Sequence, residues 1–409
     1  MTTVIITICA LLLIAYIFDL TSAKSKIPSV ILLLLLGWGV KKTTQFLNLD
    51  LPPFEQFLPV LGTIGLILIV LEGSLELELN KSKKGVITKS FVGALVSMVI
   101  TAYILTYLFK EFGGYSLKNS LINAIPFCII SSAIAIPTVI NLSKENREFV
   151  IYESSLSDIL GVLFFNFVAL NLVFNIYTFG NFGLQLLVII LISLIATLGL
   201  AFLLSKIEHH IKFIPIILLV ILIYTVLKEY HLPSLIFIMV FGLFIGNLNE
   251  MKQFKWINKF KPEDLNEEVQ KFKEITIEAA FLVRTLFFLL FGFLLEMTEI
   301  LNQQTLVWAL GIVGIIAVVR IIQLKISGLP MLPLLFIAPR GLITVLLFIS
   351  IFPHQNIDLV NKSLIVQVVI LTTLVTMIAL IMKKKQPEPS VLAPGSKIED
   401  LNKKEVSDN

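Results

Sequence analysis

The feature that most constrains this chain is its succession of apolar windows. Thirteen of them begin near Val4, Pro28, Phe57, Ile87, Leu121, Val150, Leu184, Phe213, Pro233, Thr276, Thr305, Leu332 and Leu364, separated by charged or Pro/Asn/Gly-rich breaks. In hydrocarbon each backbone N–H and C=O must find its partner within the protein, so windows of this kind read as membrane-spanning helices. Hydrophobic residues make up 57% of the 409 and charged ones 15%, and the mean hydropathy is +0.94. This composition describes an integral membrane protein and not a soluble core. The expected fold class is an all-α polytopic membrane protein of about 13 transmembrane helices. Windows two, five, eight, nine and twelve are short or interrupted by proline.

Basic residues give the topology. With the N-terminus outside, one set of loops carries 20 Lys and Arg, including Lys81 to Lys89, the lysines of residues 252–273 and the run Lys383 to Lys385. The opposite set carries 6: Lys41, Lys42, Lys110, Lys118, Lys228 and Lys362. The asymmetry places the N-terminus outside and the C-terminus in the cytoplasm. The first window lacks a charged leader and a small-residue cleavage site, so it reads as a retained helix. The setting expected for the chain is a bacterial inner (cell) membrane.

Several function classes drop out. Cys9 and Cys128 both lie in apolar segments, and His209, His210, His231 and His354 lie in connections without metal-ligand spacing. There is no glycine-rich phosphate loop, no H-E-x-x-H or D-D-x-x-D string, and no basic stripe interleaved with aromatics. No cofactor, nucleic-acid partner or enzymatic chemistry is expected. The tail after Met382 is short and polar, and reads as disordered. The segment Asn249 to Lys273 reads as an interfacial helix.

Against this background Asp158 stands out. It lies about ten residues into the Val150 window, or roughly 15 Å along a helix and close to the bilayer centre. A carboxylate there costs at least ~2.5 kcal/mol, so it needs a partner, an aqueous cavity or a function. An arginine could neutralise it; the sharper reading is a site where a proton and a metal cation compete. Glu153 shares a helix face with Ser157, and Ser154 shares one with Asp158, each pair at i, i+4. Pro126 and Pro137 bracket I-I-S-S-A-I-A in the fifth window. Proline frees backbone carbonyls, and these with the Ser131 and Ser132 hydroxyls are hard oxygen ligands suited to Na⁺. A plain kink with back-bonded serines would also explain that stretch. Arg284, Arg320 and Arg340 lie inside apolar windows and need counter-charges or carbonyl ends. The expected partners are Glu153 and the ends of broken helices, with Arg320 first and Arg340 second. Glu72 reads as interfacial or cavity-lining, and Glu278 as a helix-start charge.

Two halves of the chain also echo each other. L-I-L-I-V-L-E-G-S-L-E-L-E in window three matches L-F-F-L-L-F-G-F-L-L-E-M-T-E in window ten, and I-S-S-A-I-A-I-P-T-V-I in window five matches I-A-P-R-G-L-I-T-V-L-L in window twelve. Interrupted helices in corresponding positions of two inverted halves point to a midplane site.

At these residues the chain resembles the NhaP/NHE-type monovalent cation:proton antiporters. Glu153 to Asp158, E-S-S-L-S-D, is similar to that family's E-S-L-L-N-D. Ser131 to Ala135 stands where the family has T-D-P-V-A, A-P-R-G-L resembles its late arginine–glycine helix, and L-E-G-S-L-E-L its third-helix signature. Ser157 replaces the family's asparagine, and Ser132 with Ala133 replaces its Asp-Pro; the S-S-x-I-A run is also similar to the potassium-efflux branch. The resemblance spans about Val4 to Met382. It implies an NhaA/NapA-like inverted repeat with two broken crossing helices, working as a homodimer in the lipid bilayer. Residues 1–382 would form the transporter, with a core from 57–176 and 276–382, dimerisation elements from 1–40 and 213–248, and 383–409 as the tail. The resemblance implies a secondary antiporter of Na⁺, K⁺ or Li⁺ against H⁺, with an elevator-like movement of the core. The cation would be held by Asp158, Ser154 and Ser131, with Glu153, Ser157 and Ser132 beside it. Serine at 157 leaves Asp158 as the only exchanging carboxylate, which predicts electroneutral exchange. A sodium-coupled organic-anion symporter is the nearest rival, and a membrane-embedded enzyme a more distant one.

Overall fold

The computed structural model describes residues 2–25, 27–48, 54–139, 142–171, 175–206, 212–230, 232–248 and 262–382. Among the described residues all regular structure is helical. The helices are α1 (Thr2–Ser25), α2 (Ser29–Phe46), α3 (Leu58–Glu76), α4 (Lys84–Gly113), α5 (Leu117–Ala124), α6 (Ser132–Thr138), α7 (Lys144–Leu170) and α8 (Ile176–Lys206). They continue with α9 (Phe213–Glu229), α10 (Leu235–Gly246), α11 (Pro262–Phe293), the single turn α12 (Met297–Ile300), α13 (Gln303–Ile326), α14 (Leu342–Ile349) and α15 (Lys362–Met382). Each apolar window holds one of these helices or, in windows five and twelve, a broken one. The protein is a multi-pass integral membrane protein, and six of its described segments are each long and apolar enough to cross a bilayer unaided. Large apolar side chains such as Leu187, Leu191 and Ile195 on α8, and Tyr103 and Tyr107 on α4, face outward, as a hydrocarbon solvent permits.

Two packing groups emerge. One joins α2, α3, α10 and α11, with α1, α8 and α9 at its edge; the other joins α4, α5, α6, α7, α13, α14 and α15. Close approach in the first group rests on small residues, because lipid supplies no hydrophobic drive between helices. A methyl group on Gly292 would run into the Leu34 carbonyl oxygen, and one on Gly246 would meet the Leu75 carbonyl at 2.6 Å.

Some sequence expectations shift. α11 begins at Pro262, well before Thr276, because its first turns are amphipathic and escape an apolar window. Glu278 is therefore an exposed residue inside that helix, not a helix-start charge. α3 and α11 pack on each other and on α2 and α10. Residues 249–261 of the interfacial segment, His209, His210, His231 and the tail 383–409 lie outside the described residues.

The two interrupted windows shape the centre of the second group. After α5 the chain tightens into a 3-10 turn at Ile125–Cys128, extends through Ile129 (ψ 126°) and Ser131 (ψ 114°), then restarts as α6. In the later window a 3-10 turn at Leu334–Phe336 is followed by an extended stretch to Gly341 and then α14. Pro339 favours that stretch by disallowing helical geometry at Ala338. The two extended stretches cross: Ser131 N–H donates to Pro339 O at 2.9 Å. Gly341 makes the crossing possible, since a methyl there would lie 2.8 Å from Ser131 Oγ and 2.7 Å from Ile134 Cδ1.

Candidate functional site

The crossing leaves backbone ends of opposite polarity in the protein interior, and charged side chains meet both. α6 starts at the break, so its first N–H groups lack helical partners and carry the positive end of a peptide dipole. Asp158 of α7 reaches that end. Ser132 donates to Asp158 Oδ2 through its N–H at 3.2 Å and also through its hydroxyl. The other oxygen, Asp158 Oδ1, is buried without a hydrogen-bond partner among the described residues, as is Ser131 Oγ. At the carbonyl end of the preceding 3-10 turn stands Arg340. Its Nε donates to Phe127 O at 2.7 Å and its Nη1 to Ala338 O at 2.9 Å. Its own N–H donates to Thr372 Oγ1 at 3.0 Å, fixing the second break to α15.

The neighbouring residues divide their work. Ser157 Oγ accepts from Ile130 N–H at 3.0 Å, so the residue beside the carboxylate satisfies the broken backbone. Ser154 Oγ donates to Val150 O at 2.8 Å within its own helix, leaving only its lone pairs for another ligand. Glu153 turns away from the crossing toward α13. Arg320 Nη1 and Gln323 Nε2 both donate to Glu153 Oε1. Arg320 also donates to Leu334 O at 3.2 Å and Ile337 O at 3.4 Å, the carbonyls that precede the second break. All of these side chains are buried, Glu153 and Ser154 completely.

The structure thus brings Asp158, Ser131, Ser132 and Ser157 to one crossing, places Glu153 with Arg320 beside it, and sets Arg340 on the carbonyl end. Arg284 is half-buried on α11, away from the crossing elements. Two participants went unread in the sequence, Gln323 and Thr372. Gln323 was within reach of the rule that intramembrane polar residues have partners, standing one helical turn after Arg320.

A cavity of about 440 Å³ opens between the two packing groups. Val162, Phe165, Asn166 and Ala169 of α7 form one wall, and Thr63 and Tyr224 stand among the residues opposite. Val162 is one turn beyond Asp158 on the same helix face. Among the described residues no three His, Cys, Asp or Glu side chains group as a resident metal centre. The crossing instead gathers one carboxylate, hydroxyls and backbone oxygens, hard donors of the kind that can meet a hard cation or a proton.

The family model described as the transmembrane region of sodium/hydrogen exchangers matches residues 9–384. The fold is similar to a structure of the sodium proton antiporter MjNhaP1 from Methanocaldococcus jannaschii at pH 8. That match has a TM-score of 0.67 at 17% identity and covers 93% of this chain and 98% of that one. An electron-microscopy structure of MjNhaP1 is similar with a TM-score of 0.63 at 19% identity, over 93% and 94% of the two chains. No curated protein matches in sequence.

Proposed function

The chain belongs to the sodium/hydrogen exchanger family, and on that premise we propose that Asp158 is the group at which a monovalent cation and a proton exchange by alternating access. The observation that carries this reading is the divided environment of the Asp158 carboxyl. One oxygen is held by Ser132 at the start of α6, and the other is buried without a partner. A buried oxygen of this kind is costly until a cation or a proton meets it. A bound cation takes its remaining ligands from Ser131, Ser154 and the crossing backbone, and leaves as the carboxylate takes up a proton. No ATP-driven step is needed, since either ion gradient drives the other.

The moving unit in this proposal is α4–α7 with α13–α15, which carries the whole crossing. The stationary unit is α1–α3 with α8–α11, which supplies the homodimer contact from elements within residues 1–40 and 213–248. This division follows the packing and moves α3 and α11 out of the core. The cycle is electroneutral, because Ser157 cannot exchange a proton and Glu153 is tied to Arg320. The N-terminus is outside and the C-terminus cytoplasmic, in a cell membrane of bacterial type.

Acid-loaded everted vesicles containing a pH-quenched dye test the activity. Addition of Na⁺, Li⁺ or K⁺ should dequench the dye, and the three responses rank the cations. Vesicles that respond to none of the three, with the protein present, contradict the proposal. In proteoliposomes with a K⁺/valinomycin clamp and Na⁺ as substrate, the rate should be flat across imposed potential; a steep dependence refutes one-for-one exchange.

A further inference from the structure

Gln323 is not accounted for by the crossing, yet it is buried in a membrane helix beside the most charged contact of the protein. It follows Arg320 by three residues on α13, so both side chains face α7. Arg320 Nη1 donates to Glu153 Oε1, Gln323 Nε2 donates to the same oxygen, and Gln323 Oε1 accepts from Arg320 Nη1 at 2.9 Å. Three side chains therefore close a ring on one carboxylate oxygen. The second oxygen, Glu153 Oε2, is buried without a partner among the described residues. Helix α4 is cut back to admit the ring. A methyl group on Gly93 would run into Gln323 Nε2 and stand 3.4 Å from Glu153 Oε1.

An amide suits this place for a chemical reason. It donates to a carboxylate and accepts from a guanidinium at once, and it adds no charge to the neutral Glu153–Arg320 pair. A carboxylate at 323 could not donate, and a thioether could do neither. The consequence reaches Asp158, because Glu153 lies five residues before it, roughly 7.5 Å along the helix axis. At that distance in a low-dielectric interior, the orientation of a charge pair changes the field at its neighbour.

We propose that Gln323 is a positioning residue for exchange: its amide fixes the Glu153 side chain against Arg320 and so sets the field in which Asp158 chooses between cation and proton. The inference rests on the reading of Asp158 as the exchanging group. That reading fails separately, if Asp158→Asn exchanges at the wild-type rate.

The test uses the full-length protein in proteoliposomes, with Na⁺-dependent proton flux measured across pH and melting temperature recorded in detergent. Gln323→Met keeps the volume and removes both hydrogen-bonding functions. Gly93→Ala keeps the amide and displaces it from the opposite helix, so it decides the matter if the methionine variant does not fold. Either folded variant should raise KM for Na⁺ by about fivefold or more while kcat stays within about threefold. The pH of half-maximal exchange should move by about half a unit or more. A side chain that only fills space changes melting temperature alone. Wild-type KM and pH midpoint in either folded variant overturn the proposal, whatever the melting temperature does.

Discussion

Replacing Glu153 by glutamine isolates the cost of the buried charge cluster. The amide keeps an oxygen that can accept from Arg320 and Gln323, so the geometry survives while the charge is lost. Two hydrogen bonds to a carboxylate become bonds to a neutral acceptor, a loss of about 1 kcal/mol each. The guanidinium then remains buried without a counter-ion. Removing one partner of a buried pair costs ~3–5 kcal/mol. Here Arg320 keeps Gln323 Oε1, Leu334 O and Ile337 O, which favours the lower end, about 3 kcal/mol. Asp158→Asn makes the control. It leaves no cation unpaired and can still accept from Ser132, so about 1 kcal/mol is expected. Thermal unfolding in detergent at one pH should therefore rank wild type, Asp158→Asn and Glu153→Gln in descending order. The double variant Glu153→Met with Arg320→Met should recover part of the loss, as apolar replacements of buried pairs do. Equal melting of Glu153→Gln and wild type, or Asp158→Asn melting below Glu153→Gln, refutes this reasoning.

Two further predictions follow from particular contacts. Gly341→Ala places a methyl against Ser131 Oγ and Ile134 Cδ1 at the crossing; it should abolish Na⁺-dependent proton flux, and near wild-type flux would show that the breaks need not approach. Lys83 links Glu78, beyond α3, to Glu148 at the start of α7, and its hydrogen bond holds the Glu78 carboxyl below the usual range. That stabilisation is complete above the ordinary value of 4.5 and is lost as pH falls through the lowered one. Lys83→Met should thus melt below wild type at pH 7 and converge with it under acid, a comparison made by unfolding at both pH values.

The helices were legible in the sequence because hydrocarbon leaves a chain few options: apolar length alone marked the windows, and Pro126 and Pro339 marked the breaks, whereas Pro137 lies inside α6. The charged stretch before Thr276 read as a separate interfacial helix, and its continuity from Pro262 into the apolar part of α11 was not legible. Packing was harder still. Gly246 and Gly292 make α3 and α11 close neighbours of α10 and α2, but a glycine in an apolar run names no partner. At the candidate site, charge balance directed attention to an arginine for Glu153, and the structure places Arg320 there. What residue type could not reveal was the direction of each hydrogen bond. Ser157 serves a backbone N–H and Ser154 its own helix, and both facts depend on rotamers that no spacing rule contains. Gln323 was overlooked because one amide among isoleucines carries no formal charge to balance.

The central claim, that one carboxyl carries the exchange, is tested most directly by Asp158→Asn reconstituted beside wild type at equal density. Asparagine retains the shape and the contact with Ser132 but can neither release a proton nor balance a cation. Na⁺-driven proton flux should fall to the level of empty liposomes, while the variant elutes as wild type on size exclusion. Flux from the asparagine variant at a near wild-type rate would contradict the assignment of exchange to Asp158.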